Sequence, residues 1–197
     1  LTFCLMLVLC LPLLVETPMI LNIWLKEVPE GSVLFLRLLL LIVLVQKNIS
    51  PLGTAVSSTG HIRKYETLVN GLMLTILPIG YVVLRLGGAA WTVFAVYLII
   101  VILSFALVLH IALPMMHMSL KDYFTMVVKP CFMVMLMSSI VPIVMKMIGQ
   151  EGIIYSLLTM ALIIIATLVS SYLAGLSTEE KILVNAYIRK KIPYLSR

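Results

Sequence analysis

The sequence predicts an all-α membrane protein that crosses the bilayer about six times, and three observations support that prediction. The chain of 197 residues is 62% hydrophobic and 11% charged, with a mean hydropathy of +1.19. Its apolar runs reach the roughly 20 residues that a helix needs to cross the hydrocarbon layer. No segment alternates polar and apolar residues as barrel strands do, so helices must satisfy the backbone in lipid. These features exclude soluble, disordered, collagen-like, coiled-coil and disulfide-stapled folds.

The bounds of the predicted spans follow from the length of the apolar runs and from the polar segments that connect them. They cover residues 1–25, 32–56, 65–86, 90–113, 124–147 and 152–175. Glu16 and Pro18 interrupt the first span, Pro51 breaks the second and Pro78 lies in the third. Proline is tolerated in membrane helices because neighbouring groups satisfy the freed carbonyl. Each proline is therefore either a functional kink or an ordinary membrane-helix proline.

The beginning of the chain also carries information. Leu1 stands inside an apolar run, with neither Met nor a basic segment before it. A secretory signal peptide would need that basic segment. We therefore expect the chain to be a fragment whose N-terminal part is missing.

The distribution of Lys and Arg predicts the orientation in the membrane. If the first span leaves the cytoplasm, nine basic residues fall on one side and three on the other. The excess assigns residues 57–65, residues 114–123 and the C-terminal tail to the cytoplasm. The nine are Arg63, Lys64, Lys121, Lys129, Lys181, Arg189, Lys190, Lys191 and Arg197. The three are Lys26, Arg85 and Lys146.

The tail, residues 177–197, is the longest polar stretch of the chain. Ser177 and Glu180 have the spacing of a capping box and predict a helix that starts there. The C-terminal end of that predicted helix is basic, with Arg189, Lys190 and Lys191. Positive charge there suits both the helix dipole and an anionic membrane surface. The alternative is a solvated tail that only fixes the topology.

No catalytic or metal-binding constellation is visible in the sequence. His61, His110 and His117 are scattered, without a partner at helical spacing. Asp122, the single aspartate, adjoins Lys121, where a local ion pair is the simplest interpretation. An enzyme and a metal site are therefore not expected. The three cysteines lie inside apolar runs and are interpreted as small hydrophobic residues: Cys4, Cys10 and Cys131.

The unusual residues are the charges inside the spans. A charge at the bilayer centre costs at least about 2.5–3.5 kcal/mol, so it usually faces a bundle interior or a watery cavity. Arg37 and Lys47 lie in the second span, and Gln46 and Asn48 flank the lysine. Ten helical residues separate the two cations by about 80° in azimuth, so both can face one cavity. Such a stripe suits an anionic polar ligand that crosses the membrane.

Each charged residue inside a span also has a second interpretation. Arg37 is close enough to the outer interface for its side chain to snorkel. Lys47 either meets the ligand or forms a structural pair with a carboxylate on the missing part. Glu16, the acidic residue in the first span, is either a counter-ion for Arg37 or an interfacial residue.

Four segments resemble the polysaccharide-biosynthesis flippases. Residues 23–30 look like their "WLG-x-x-P" span end, and residues 55–65 resemble their cytoplasmic "ATGKIKKYQ" turn. Residues 77–81 resemble "LPISY", and residues 175–181 resemble the closing "GLTKEER". The order and spacing match throughout, although Lys26 replaces the usual glycine and His61 replaces a lysine. The chain thus resembles the C-terminal half of a Wzx-type O-antigen or capsule flippase, in the polysaccharide transporter family of the MATE-like superfamily.

The resemblance implies one lobe of about six helices, whose partner is the missing N-terminal lobe. It implies translocation of an undecaprenyl-pyrophosphate-linked oligosaccharide across the bacterial inner membrane, by rocking of one lobe against the other. Arg37 and Lys47 would neutralise the pyrophosphate, with Asn48 and Gln46 as hydrogen-bonding partners. Membrane lipids are expected partners, and neither a cofactor nor nucleic acid is expected.

Two other classes compete with this interpretation. A MATE-type multidrug exporter of cationic drugs would share the fold, but its cavity should be acidic, whereas this half offers cations. A membrane-embedded polysaccharide polymerase or transferase would need an outer loop rich in Arg, His and acids. The predicted outer loops are only a few residues long.

Overall fold

The apolar segments form helices that a computed structural model describes at residues 2–58, 62–148, 152–176 and 180–182. The all-α prediction is confirmed, since these residues contain helices and no strand. Two π-helical turns, Phe124–Val128 and Ser171–Gly175, interrupt or extend the α-helices. The helices are α1 (Thr2–Val15), α2 (Thr17–Trp24), α3 (Ser32–Ser58), α4 (Ile62–Leu74), α5 (Ile76–Arg85), α6 (Ala90–Met115), α7 (Leu120–Tyr123), α8 (Lys129–Ile148) and α9 (Ile153–Ser170).

Five of the described helical segments are long and apolar enough to cross a membrane: Ser32–Ser58, Tyr65–Arg85, Ala90–Met115, Leu120–Ile148 and Ile153–Gly175. The first predicted span is different, because α1 and α2 meet at an angle of 75°. Counted as one broken span, this pair brings the number to six. The chain is therefore a multi-pass membrane protein. The predicted tail helix lies outside the described residues, apart from residues 180–182, which are helical.

The fifth span begins at Leu120, four residues before the predicted start, because Ser119 caps it. The Ser119 hydroxyl accepts a hydrogen bond from the Asp122 backbone N–H at 3.1 Å and donates one to the Asp122 carboxylate at 2.7 Å. This reciprocal arrangement satisfies a donor at the helix start that has no helical partner. Asp122 therefore serves the cap, rather than the ion pair with Lys121 that the sequence suggested.

Helix α3 is the central element of the bundle, because it contributes to two separate cores. On one side it packs along α6, where Ile42, Ile49 and Val56 are buried together with Val101 and Val108. On the other side its apolar residues meet α1, α8 and α9. The residues buried there are Leu40 and Leu44 of α3, Cys4, Leu7, Cys10 and Leu11 of α1, Val134 of α8 and Ile163 of α9.

Small residues let α1, α8 and α9 approach closely, as is usual in membrane helix packing. The hydroxyls of Ser138 and Ser170 lie 2.9 Å apart across the α8–α9 contact, and both are buried. A Cβ atom on Gly175 would lie 2.9 Å from the Cys4 sulfur and 3.1 Å from a Val134 methyl group. Gly175 therefore allows the end of the last span to rest directly on α1 and α8.

Candidate functional site

The break between α1 and α2 follows from Pro18. Proline has no N–H, so the Leu14 carbonyl four residues earlier lacks its helical donor. The Arg37 side chain supplies one: its Nε donates to the Leu14 oxygen at 3.2 Å. The Thr17 hydroxyl lies 2.6 Å from the Leu13 oxygen and 3.1 Å from the Leu14 oxygen. Because a hydroxyl has one proton and its contact to Leu13 is the shorter, Arg37 supplies the Leu14 oxygen with a donor of its own.

A cavity of about 700 Å³ opens beside this break, and we call it the arginine cavity. It lies among α2, α3, α8 and α9. Its charged members are Arg37, Lys146 and Glu16, so the net charge of its described lining is +1. No ion pair shorter than 4.0 Å joins these three side chains. The uncharged lining comprises Val15, Pro18, Met19, Asn22, Ile23, Met145, Gly152, Ile153, Tyr155, Ser156 and Thr159.

Hydrogen bonds orient the α9 wall of the arginine cavity. The Tyr155 hydroxyl donates to the Met145 carbonyl at 2.6 Å, which ties α9 to α8. The Thr159 hydroxyl donates to the Tyr155 carbonyl at 2.9 Å. Both hydroxyl protons are thereby used, and their oxygens remain as acceptors. The side chains of Asn22 and Lys146 make no hydrogen bond within the described part of the chain, and they remain as donors.

A second and smaller cavity, of about 250 Å³, contains Lys47 and Asn48, and we call it the lysine cavity. The Asn48 amide donates to the Leu44 carbonyl at 3.1 Å, which fixes its orientation. The turn after α6 contributes Met116 and Met118 to the lining. The rest of the lining is mostly apolar: Thr2, Phe3, Pro51, Leu52, Tyr123, Val127 and Cys131.

The structure brings only some of the predicted site residues together. Glu16 lines the same cavity as Arg37, whereas Lys47 and Asn48 line the other. Gln46 belongs to neither, because its amide donates to the Tyr97 hydroxyl of α6 at 2.9 Å. Ten residues of helix place the two cations about 15 Å apart along α3.

The two cations therefore do not share the single cavity that their azimuths allowed. Leu40 and Leu44 lie between the two cations along α3 and belong to one buried cluster with Leu7 and Leu11 of α1. The arginine cavity and the lysine cavity have no lining residue in common. Helical azimuth alone did not reveal this division, because the lining of each cavity depends on how the other helices pack.

Sequence reasoning missed several polar residues of the arginine cavity. Lys146 was interpreted only as a charge that contributes to topology. Tyr155 and Thr159 are four residues apart and so share a helix face, but nothing in the sequence connects that face with α1 or α3. Their position follows from the packing of α9 on α1 and α8. No three His, Cys, Asp or Glu side chains meet as metal ligands within the residues that the structure describes.

Fold and cavities together define the class: an all-α, multi-pass membrane protein with two cation-bearing cavities along one central helix. A comparison of the chain with known protein families, curated proteins and solved structures finds no match.

Proposed function

We propose that this chain is a lobe of a flippase that moves an undecaprenyl-pyrophosphate-linked oligosaccharide across the bacterial inner membrane, as its four family-like segments imply. The observation that carries the proposal is the central position of α3. This membrane-spanning helix presents a cation to each of two cavities. Cations in such positions are costly to keep in a membrane, and they mark substrate pathways.

The lysine cavity suits the pyrophosphate. Lys47 is its charged lining residue, and no carboxylate stands among its other lining residues. An ammonium group in a largely apolar cavity attracts a phosphate oxygen strongly, because little water screens the interaction. In the predicted orientation the α6–α7 turn beside this cavity faces the cytoplasm. That side is where the lipid-linked oligosaccharide is made available for transport.

The arginine cavity suits the saccharide. It is the larger of the two, and its lining combines hydrogen-bond donors and acceptors with apolar side chains. Hydroxyl groups of a sugar both donate and accept, and sugar rings present apolar faces. A cargo that extends along α3 would place its pyrophosphate and its saccharide at the two cavities in turn.

The cavity charges weigh against the exporter alternative. A pump for cationic drugs needs a net acidic cavity, whereas the described linings of both cavities carry a net positive charge. Glu16 is the single carboxylate among those lining residues, and it shares its cavity with two cations. The polymerase alternative would need reactive side chains in the outer loops, and the connection from α5 to α6 is only a short turn.

The flippase proposal is tested by expressing the full-length gene in a bacterial strain that lacks its own flippase. Replacing Lys47 with alanine or glutamate should lower surface glycan by about tenfold or more, since charge-assisted hydrogen bonds contribute roughly 1.5–3 kcal/mol. Lys26→Ala is the matched control, because Lys26 is exposed and lines neither cavity. The amount of protein in the membrane is measured for each variant. Unchanged surface glycan in both Lys47 variants would remove the lysine cavity from the mechanism.

The orientation is tested by cysteine labelling in intact cells. A cysteine in place of Glu27, between α2 and α3, should react with an impermeant thiol reagent added from outside. A cysteine in place of Lys121, at the start of α7, should react only after lysis. Both positions are exposed, so accessibility reports the side of the membrane. The reverse pattern would invert the topology.

A further inference from the structure

Polar lining distinguishes the arginine cavity from a third cavity of the bundle. A cavity of about 520 Å³ between α8 and α9 is lined by apolar side chains except for Ser170. The arginine cavity instead gathers three charged side chains and four neutral polar ones. In a chain that is 62% hydrophobic, such a concentration indicates a ligand rather than packing.

The charge of the arginine cavity favours a ligand with one negative charge. Arg37 and Lys146 attract an anion, and Glu16 opposes it, which leaves +1 over the described lining. A pyrophosphate group carries at least two charges and would meet repulsion from the Glu16 carboxylate. A carboxylate carries a single charge that this lining can neutralise.

The neutral groups favour a ligand rich in hydroxyls. The oxygens of Tyr155 and Thr159 have used their protons on backbone carbonyls, so they accept from ligand hydroxyls. Asn22 and Lys146 have no hydrogen-bond partner among the described residues, so they donate. Pro18 and other apolar lining residues offer contact to the apolar face of a ring.

We propose that the arginine cavity binds an acidic saccharide, one that carries a sugar carboxylate, and that Lys146 is the residue that selects for that carboxylate. The Nε of Arg37 is already used on the Leu14 carbonyl, whereas the Lys146 ammonium has no partner. This inference rests on the proposed function only in that the saccharide part of the cargo reaches this cavity. It extends that function by naming the class of saccharide.

The test measures binding to the purified full-length protein in nanodiscs. The probes are cellobiouronic acid, its neutral counterpart cellobiose, and inorganic pyrophosphate as a competitor. The acidic disaccharide should bind about tenfold or more tightly than the neutral one, because a charge-assisted contact separates them. Lys146→Gln should abolish that difference, and Lys146→Arg should keep most of it. Lys26→Gln should leave that difference unchanged, because Lys26 lines neither cavity.

Glu16 provides an independent measurement. If its charge excludes pyrophosphate, Glu16→Gln should strengthen competition by pyrophosphate at this cavity by several-fold. Thermal unfolding of each variant confirms that the protein remains folded, and Lys146 is exposed and unpaired, so its replacement should not disturb folding.

Several results would overturn the proposal. These are equal binding of the two disaccharides, no measurable binding of either, or an acidic preference that survives Lys146→Gln. Pyrophosphate that displaces the acidic disaccharide from the unaltered protein with higher affinity would reassign the cavity. The role of the lysine cavity in the proposed function is tested separately, by surface glycan in the Lys47 variants. Normal glycan in those variants would leave the disaccharide result standing, and a failed disaccharide test would leave the glycan result standing.

Discussion

Replacing Gly175 with alanine is expected to destabilise the folded bundle by about 1–3 kcal/mol, the usual range for overpacking a close contact. The added Cβ would lie 2.9 Å from the Cys4 sulfur and 3.1 Å from a methyl group of Val134. Cys4 is 6% exposed and Val134 is fully buried, so neither side chain can move aside without disturbing its own core. Thermal unfolding in nanodiscs measures the loss.

A matched control and a rescue sharpen this prediction. Gly71→Ala, in α4, meets no atom within 4 Å and should be neutral or stabilising by about 0.5–1 kcal/mol. Cys4→Ala removes the sulfur that the new methyl group meets. The double variant should therefore lose less stability than the two single losses added together. Strict additivity would show that Gly175 does not contact α1 as the structure describes.

Replacing Arg37 with methionine is expected to destabilise the α1–α2 break by about 1–3 kcal/mol, because the Leu14 carbonyl then loses its donor in an apolar environment. Pro18→Ala should recover much of that loss in the double variant, since an alanine N–H can donate to the same carbonyl. Thermal unfolding measures both effects. Arg85→Met is the control, because Arg85 is exposed and its Nε bonds only to the Tyr81 hydroxyl.

The same rescue separates the structural role of Arg37 from its role in transport. Alanine at position 18 restores the hydrogen bond but not the guanidinium group. The double variant should therefore regain stability without regaining surface glycan. If Pro18→Ala gives no recovery of stability, the Leu14 carbonyl is not the group that Arg37 supports. If it also restores surface glycan, the positive charge of Arg37 has no part in moving the cargo.

Span positions were predictable because each is a local property of the chain. Around twenty apolar residues in a row must become a helix in lipid, whatever they pack against. The second span illustrates this: the sequence placed it at residues 32–56, and α3 runs from Ser32 to Ser58. The 75° break at Glu16 was signalled by Pro18, but its angle was not. The Arg37 side chain that bonds to the Leu14 carbonyl beside this break is distant from it in sequence.

By itself, the sequence predicted an all-α protein with about six membrane spans, of which the described residues give five, or six if the bent α1–α2 pair is one span, and it singled out Arg37 and Lys47 as unusual residues. Tertiary structure alone decided that the two cations line different cavities, that Gln46 turns to Tyr97, and that Lys146 joins Arg37. The physical reason is the range of the forces. A run of consecutive apolar residues is enough to form a membrane-spanning helix in lipid. A cavity exists only between helices, so its lining depends on which helices pack together.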